Sequence, residues 1–295
     1  MTRLFQAMVA IDWAISPDWL PLLSAIAQRN VAAPEVVAAQ DWQKRDYDLM
    51  AGPTAQRLPG AHRAYAIDGV AVIPITGPIF PRANMMTEVS GATSLTTLQN
   101  DFRAALNNPE IGAIMPVIDS PGGVVQGVSS TYDLISVGAK RKPTVAHVAG
   151  LGCSAAYWLA SAANEITLER TAMVGSIGVV AMLRKQVEPD ADGMIAVEVV
   201  SSNAPDKRPD PQSEDGVKSI LARIDEIEGH FVNDVARGRS TTTAKVKSDF
   251  GAGGDLIGAR AVAAGMADRV QSQEATLSAL RRTVANQRKL ASLKQ

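Results

Sequence analysis

The sequence predicts an α/β protein in which parallel strands alternate with helices. Three observations lead to this prediction: short runs rich in β-branched residues, intervening segments with apolar residues at helical spacing, and glycine-containing turns at the junctions. Alternation of this kind builds repeated βαβ units with right-handed crossovers. Because ligands meet such sheets beyond the carboxyl ends of the strands, we expect the functional residues in the loops that follow the strands.

The alternating elements follow one another from about residue 64 onward. Strands are predicted over Val70–Ile75, Ala113–Ile118, Thr144–Val148 and Met194–Val200, and helices over Leu95–Leu106, Val124–Val137, Ala155–Ala163 and Gln212–Val235. A last helix is predicted over Glu274–Lys294, where a thin leucine stripe has little core to cover. Such a stripe is expected of a helix that packs on another subunit, so it favours a homo-oligomer.

Residues 1–63 differ from this alternating part. Ser16-Pro17-Asp18 is typical of a helix start, with an N-cap, a proline at the first helical position and an acidic residue in the first turn. Residues 32–63 are polar and contain prolines without a sustained period, which predicts an extended arm. The predicted organisation is therefore an N-terminal helix and arm over 1–63, a main domain over 64–272 and a C-terminal helix over 273–295.

Composition and charge exclude several classes of function. The 29 basic and 30 acidic residues contain no strongly basic block, so we expect no direct contact with nucleic acid. The sequence has neither a membrane-spanning stretch nor a recognisable signal peptide, which predicts a cytoplasmic protein without a membrane anchor. It also has neither a phosphate-binding loop nor a metal-spaced cluster of histidines and cysteines, so no cofactor is expected.

Ser154 lies where glycines follow a predicted strand and a predicted helix begins. A serine at this point would present its hydroxyl at the positive end of the helix dipole, although an ordinary N-cap serine would occupy the same position. The segment Gly152-Cys153-Ser154-Ala155-Ala156 is close to the G-x-S-x-G pattern of a nucleophile elbow but ends in alanine. Ser154 is therefore a candidate nucleophile.

A second loop supplies candidate donors for an oxyanion. Gly122 and Gly123 follow the predicted strand Ala113–Ile118 and precede a predicted helix, which leaves backbone N–H groups free to face an oxyanion. A helix-entry turn after Pro121 would account for the same glycines without a catalytic role.

A nucleophilic serine needs a general base, and the three histidines are poorly placed for it. His62 lies in the polar arm, and His147 lies within a predicted strand. His230 lies in the middle of a long helical pattern, whereas a triad histidine normally occupies a loop.

A lysine can replace histidine as the base when desolvation lowers its pKa towards neutrality. Lys218 fits an exposed helix face, which leaves Lys185 and Lys207 as candidates beyond Ser154. Spacing alone does not choose between these two.

Three motifs follow one another along the chain: Asp119-Ser-Pro-Gly-Gly123, Gly152-Cys-Ser-Ala-Ala-Tyr-Trp-Leu-Ala160 and Gly175-Ser-Ile-Gly-Val179. In this order they resemble the signal peptide peptidase A family of serine peptidases, over about residues 66 to 272. The resemblance implies a crotonase-like, or Clp-protease-like, α/β fold with a Ser/Lys catalytic dyad. Asp12-Trp-Ala-Ile-Ser-Pro-Asp-Trp-Leu20 is similar to the amino-terminal segment of phage and prophage members, which points to the capsid-assembly, or head-maturation, protease branch.

The resemblance also implies a role for individual residues. Ser154 matches the nucleophile, and Gly122 and Gly123 match the glycines of the oxyanion loop. Ser176 matches a serine that helps to orient the lysine, and Lys207 falls where the base lysine of the family is expected.

The implied substrates are the scaffold, portal or capsid proteins of a phage, cleaved in the host cytoplasm or the procapsid interior by a ring-like assembly. Other readings of the sequence remain open. An esterase of the α/β-hydrolase type would use Ser154 with His230 and an aspartate such as Asp206 or Asp210. An inactive capsid-assembly module would use Ser154 only as a helix cap. A crotonase-type acyl-thioester enzyme ranks last, since it has no reason to place a serine at a helix entry.

Overall fold

Two β-sheets and the helices packed on them form the part of the chain that the computed structural model describes, namely residues 12–15, 55–83, 91–183, 188–189, 194–195, 197 and 199–293. The strands are β1 (Asp12–Ile15), β2 (Gln56–Arg57), β3 (Tyr65–Ile67), β4 (Val70–Thr76), β5 (Ile79–Phe80), β6 (Thr93–Ser94), β7 (Ala113–Ser120), β8 (Gly122–Val124), β9 (Val145–Cys153), β10 (Glu165–Leu168), β11 (Met173–Gly175), β12 (Val180–Ala181), β13 (Asp255–Ile257) and β14 (Arg269–Val270). The helices are α1 (Leu95–Asn107), α2 (Val128–Ala139), α3 (Ala155–Ala160), α4 (Glu214–Gly238), α5 (Thr243–Asp249), α6 (Ala259–Ala264) and α7 (Gln273–Ser292). The predicted α/β class, with strands alternating with helices, is therefore confirmed.

The larger sheet has parallel strands at its centre. β4, β7 and β9 pair in parallel, and β10 and β11 pair in parallel with successive parts of β9. Antiparallel strands flank this centre: β3 and β2 follow β4 outward, and β13 lies next to β11. β4 and β7 are buried along almost their whole length, because helices cover both faces of a parallel sheet.

The smaller sheet has the strand order β12-β1-β8-β5-β6. The chain passes from the larger sheet to the smaller one between β7 and β8, which only Pro121 separates. β1 pairs antiparallel with β8 on one side and with β12 on the other. An N-terminal strand thus lies inside this sheet, where the sequence predicted only a helix and an arm.

The main core lies between the larger sheet and helices α1 to α4. Phe102, Tyr132, Trp158 and Phe231 are among its largest buried side chains. The rings of Trp158 and Phe231 stack with centroids 4.5 Å apart, which ties α3 to α4. This packing holds α3 firmly in place behind Ser154.

The C-terminal helix forms as predicted, but its apolar stripe packs on its own chain. Leu280 and Val284 of α7 are buried against Val72 and Val117, on the face of the sheet opposite the main core. The expectation that this stripe has little core of its own to cover is wrong, because β4, β7 and β9 present an apolar surface to it. Only the far end of the stripe, at Leu290, is exposed.

The last residues of the predicted arm, up to residue 63, pack with the main domain that follows them. Buried Asp101 on α1 accepts hydrogen bonds from the backbone N–H groups of His62, Arg63 and Ala64 at 2.6, 2.7 and 2.9 Å. β2 pairs with β3 across the predicted boundary at residue 64. Residues 32–54 and the helix predicted after Ser16 lie outside the described residues.

Several predicted elements are confirmed with small shifts at their ends, and two shifts affect the site. The helix predicted over Val124–Val137 begins at Val128, because residues 122–124 form β8 instead. The strand predicted over Thr144–Val148 continues to Cys153, although its second half contains two glycines. Gly150 and Gly152 lie in that half because side chains of Asp119 and Val148 would collide with a Cβ atom there.

The strand predicted over Met194–Val200 is wrong for the residues of this stretch that the structure describes. None of them is assigned to a strand. Val197 and Val199 are 78% and 91% exposed, so their alternation with polar residues does not reflect a buried sheet face.

Candidate active site

Ser154 occupies a strained turn between β9 and α3. Its backbone angles are φ 55 and ψ -122, a region that costs a residue with a side chain roughly 1–3 kcal/mol and is found mainly where function requires it. The turn is held from both sides, since the Ser154 N–H donates to the Gly175 carbonyl at 2.7 Å and the Trp158 N–H donates to the Ser154 carbonyl at 2.9 Å.

The Ser154 hydroxyl does not act as a helix cap. No side-chain capping bond is formed at the start of α3. The side chain is 1% exposed, and Oγ is buried without a hydrogen-bond partner among the described residues. Leaving a buried hydroxyl unpaired costs about 1–3 kcal/mol, so a purely structural serine would be expected to find a partner. This geometry favours a nucleophile over an N-cap.

The glycine loop lies directly against Ser154. Gly122 has a φ of 99, and a Cβ atom built on it would lie 2.9 Å from Ser154 Cβ and 2.3 Å from the Ala14 carbonyl oxygen. A Cβ atom on Gly123 would lie 2.0 Å from the Ile79 carbonyl oxygen. Only glycine fits at these two positions, so the structure brings the predicted nucleophile and the predicted oxyanion loop together.

Two neighbours of the glycine loop fix its shape and were not assigned from the sequence. Ser120 is fully buried, and its hydroxyl donates to the Gly77 carbonyl at 2.7 Å and accepts from the Gly122 N–H at 3.2 Å. The Asp119 carboxylate accepts from the Leu151 N–H at 2.9 Å, which joins the loop to the second half of β9. A serine just before Pro-Gly is typical of a side chain that bonds to backbone two residues on, which could have identified Ser120 but not the long-range bond of Asp119.

Ser176 lies on the other side of the Ser154 turn. Gly175 accepts the Ser154 N–H bond, and the next residue, Ser176, is 7% exposed with a φ of 53. The Ser176 N–H donates to the Gly254 carbonyl at 3.0 Å, which fixes this second turn. The residues of the third sequence motif therefore lie beside the Ser154 turn, as do those of the first two motifs.

Lys207 lies at the surface of the chain and makes no hydrogen bond to Ser154. It ends a 3-10 turn over Pro205–Lys207, and its side chain is exposed. Because Ser154 Oγ has no hydrogen-bond partner in the described part of the chain, Lys207 makes no such bond here. Lys185 lies outside the described residues. Lys218 is exposed on α4, 3.6 Å from the Asp215 carboxylate, as the helix pattern predicted.

The histidines are not placed to act as the base of Ser154. His62 and His230 are exposed, His230 in the middle of α4. His147 is buried near the start of β9, and it makes no hydrogen bond to Ser154 Oγ, which has no partner among the described residues. Its Nδ1 atom lies 3.0 Å from the Thr167 hydroxyl, and burial lowers its pKa to about 4.

Cys153, next to Ser154, is a poor alternative nucleophile. Burial raises the pKa of its thiol well above the ordinary value, and the nearby Asp255 carboxylate acts in the same direction. Since the thiolate is the reactive form of cysteine, this environment suppresses its reactivity.

Comparisons with known proteins show the family of the chain. The family model described as Peptidase family S49 matches residues 137–288, which is more than half of the 295 residues. The chain belongs to peptidase family S49. The matched stretch contains Ser154, Ser176 and Lys207, whereas the glycine loop lies before it.

Relatives in this family include phage and cellular proteins. Capsid assembly protease C of Escherichia phage lambda is 29% identical over 233 residues, which cover 76% of this chain and 51% of that protein. Head-tail preconnector protein GP5 of Enterobacteria phage P21 is 28% identical over 169 residues, or 56% of this chain and 34% of that protein. Protease 4 of Salmonella typhi is 31% identical over 111 residues, or 37% of this chain and 17% of that protein.

The predicted resemblance to the signal peptide peptidase A family and to its phage branch is confirmed by these relatives. The chain spans about half the length of the lambda protein and less of the other two. Within the part of the chain that the structure describes, no helix is long and apolar enough to cross a membrane.

Proposed function

We propose that this protein is a serine endopeptidase with a crotonase-like, or Clp-protease-like, fold, in which Ser154 is the nucleophile and Lys207 the general base. The observation that carries the proposal is the Ser154 hydroxyl itself. It is buried, forms no capping bond, lies on a strained turn and is packed against a loop that only glycine can form. These are the features of a positioned nucleophile beside an oxyanion site.

The proposed reaction needs no cofactor. The neutral Lys207 amine accepts the proton of Ser154 Oγ while that oxygen bonds to the carbonyl carbon of a peptide, and N–H groups of the glycine loop stabilise the resulting oxyanion. As the carbonyl re-forms, the peptide C–N bond breaks and the leaving nitrogen takes the proton from the lysine. Water then attacks the acyl-enzyme with the same lysine as base, which releases the acid product and restores Ser154. In this scheme Ser176 orients the Lys207 amine.

The proposal requires a rearrangement or an assembly that brings Lys207 to Ser154. Desolvation is what favours the neutral form of a lysine, and Lys207 is exposed in one chain. The segment that leads to it exposes several large apolar side chains, which are typical of surfaces that a partner covers. These are Met194, Ile195, Val197 and Val199. We therefore propose a homo-oligomer in which this segment is covered and Lys207 of one copy completes the site of its neighbour.

The biological role proposed is the maturation of phage heads. The support is the similarity to a protein named as a phage capsid assembly protease and to one named as a head-tail preconnector protein. The substrates would then be scaffold, portal or capsid proteins, cleaved in the host cytoplasm or inside the procapsid.

Dilution of the enzyme tests whether assembly creates the active form. Specific activity on a denatured protein substrate, measured over a range of enzyme concentrations beside the sedimentation coefficient, should fall as the oligomer dissociates. A monomer with constant specific activity would rule out the assembled dyad. Absence of hydrolysis at all concentrations in a folded sample would rule out the peptidase.

A further inference from the structure

β1 lies between two strands that begin beside the candidate catalytic residues. β8 starts at Gly122, against Ser154, and β12 follows the turn that carries Ser176. β1 pairs antiparallel with both strands. Among the described residues, β1 is the only strand that joins β8 to β12.

A space one strand wide between two strand edges is suited to an extended peptide. A peptide that enters such a space completes the backbone hydrogen bonds of both edges, as in β-strand addition. A peptide substrate of Ser154 has to lie along the glycine loop, and the edge of β8 is the continuation of that loop. The residues of β1 therefore occupy the place where a substrate strand is expected.

The register of β1 sets which peptide group meets the glycine loop. Ala14 lies opposite Gly123, and the Val125 N–H donates to the Asp12 carbonyl at 3.2 Å. Hydrogen-bonded pairs alternate along an antiparallel ladder, so Ala14 and Gly123 form the next such pair. In that pair the Gly123 N–H donates to the Ala14 carbonyl, as it would to the carbonyl of a bound substrate.

The Ala14 carbonyl is also close to the nucleophile. Its oxygen lies 2.3 Å from the position of a Cβ atom on Gly122, and Ser154 Cβ lies 2.9 Å from the same position. The Ala14 carbonyl oxygen and Ser154 Cβ are therefore no farther apart than the sum of these two distances. β1 presents the Ala14–Ile15 peptide bond to Ser154.

The side chains of β1 are bound at distinct positions. The Asp12 carboxylate accepts a hydrogen bond from the Arg223 guanidinium of α4 at 2.6 Å. Trp13 packs edge to face on Phe80, with ring centroids 6.1 Å apart, and is fully buried. Ala14 is also fully buried within the main core, which leaves little room for a larger side chain.

We propose that β1 is an intramolecular occupant of the substrate strand site, and that the site selects peptides with the same features. These features are an acidic residue recognised by Arg223, then an aromatic residue against Phe80, then a small residue whose carbonyl Ser154 attacks. β1 has to leave the site before a protein substrate enters it. This inference rests on the proposed function, because it takes Ser154 as the residue that is acylated.

The first part of the test asks whether β1 blocks Ser154, by measuring how fast a fluorophosphonate labels the full chain. Asp12→Lys and Arg223→Glu each break the ion pair, and the double variant re-forms it with the charges exchanged. We expect each single variant to label about tenfold faster than wild type, and the double variant to return towards the wild-type rate. Lys218→Glu, also on α4, is the matched control and should label at the wild-type rate.

The second part asks what the emptied site recognises. The aldehydes acetyl-Asp-Trp-Ala-H and acetyl-Lys-Trp-Ala-H, which form a hemiacetal with a reactive serine, compete with the label. In Asp12→Lys the acidic aldehyde should protect Ser154 at about tenfold lower concentration than the basic one, and in Arg223→Glu the order should reverse. Thermal unfolding of each variant shows that the fold is retained.

The outcomes separate this inference from the proposed function. If Ser154 is labelled but wild type reacts as fast as the single variants, or if the aldehyde preference does not follow the charge at position 223, β1 is a structural strand and the inference is overturned. If no variant is labelled although all are folded, Ser154 is not an activated serine, and the proposed function fails together with the inference.

Discussion

The two residues of the proposed dyad differ in their surroundings: Ser154 is buried and closely packed within one chain, whereas Lys207 is exposed. The surroundings of Ser154 are buried and closely packed: the backbone turn is held by Gly175 and Trp158, and the glycine loop touches the serine side chain. The described residues of the segment that leads to Lys207 are mostly exposed, and none of the described residues over 194–207 lies in a strand. This difference between the two residues is why we propose that activity depends on assembly.

The largest effect is expected from Ser154→Ala, which should abolish peptide hydrolysis because the nucleophile is lost. Since Oγ is buried without a capping bond or another hydrogen bond among the described residues, its removal should leave the free energy of unfolding unchanged or raise it by about 1 kcal/mol. Hydrolysis of a denatured protein and urea unfolding measure the two effects.

A matched control for this variant is Ser161→Ala, at the other end of α3. The Ser161 hydroxyl donates to the Trp158 carbonyl at 2.7 Å, so its loss should lower stability by about 1 kcal/mol while activity is retained. Residual turnover by Ser154→Ala within a few fold of wild type would eliminate Ser154 as the nucleophile.

Lys207 should be nearly as important for activity, although it is exposed in one chain. Lys207→Ala and Lys207→Arg should both lose hydrolysis, because arginine does not give up its proton in a protein. Stability should stay within about 0.5 kcal/mol of wild type, as for other exposed side chains. If Lys185→Ala is inactive in the same assay and Lys207→Ala cleaves normally, the assignment of the base is wrong.

Gly122→Ala tests whether the glycine loop has to touch Ser154. The new methyl group would lie 2.3 Å from the Ala14 carbonyl oxygen and 2.9 Å from Ser154 Cβ, at a φ that alanine disfavours. We expect activity to fall by about 10²-fold or more, with a clear loss of stability. Gly229→Ala on α4 is the control: a Cβ atom there meets nothing within 4 Å, so activity should be unchanged. Wild-type activity of Gly122→Ala would remove the loop from the site.

The smallest effect is expected for His147, and it concerns the pH dependence of stability. His147 lies near the start of β9, at the opposite end of that strand from Ser154. Burial lowers its pKa to about 4, and this outweighs the opposing effect of the Glu169 carboxylate. The unfolded chain, with a histidine pKa of about 6.5, binds the proton first, so stability is full above that value and is lost as the pH falls towards 4. Since one pKa unit corresponds to about 1.36 kcal/mol, the loss should be on the order of 3 kcal/mol. Urea unfolding at a series of pH values should show a smaller loss for His147→Asn, and an equal loss would contradict this assignment.

The central strands β4 and β7 and the position of Ser154 could be predicted because their signals are local. β4 and β7 are continuous runs of apolar residues, and a serine after glycines marks the turn before α3. The second half of β9 was missed because Gly150 and Gly152 suggest a turn when read locally. A Cβ atom at either position would collide with a side chain, that of Asp119 at the end of β7 or that of Val148 in the first half of the same strand, and a local pattern does not show this packing.

The strand β1 could not be predicted from its own four residues. Asp12–Ile15 is too short to show a period, and its partners β8 and β12 lie more than a hundred residues away in the sequence. The placement of Lys207 could not be derived either, since the family pattern gives its position in the sequence and not the subunit that it serves. The strand β1 is positioned by contacts between segments far apart in the sequence, which a local pattern does not record.

Mixing two inactive variants tests the assembled dyad most directly. Ser154→Ala and Lys207→Ala are unfolded together, refolded as one population and assayed for peptide hydrolysis, with differently tagged copies captured to show that mixed oligomers form. If Lys207 of one copy serves Ser154 of its neighbour, random mixing leaves about one quarter of the sites intact, and activity should return to about that fraction of wild type. Mixed oligomers that remain inactive would contradict the account, because a dyad within one subunit cannot be restored in this way.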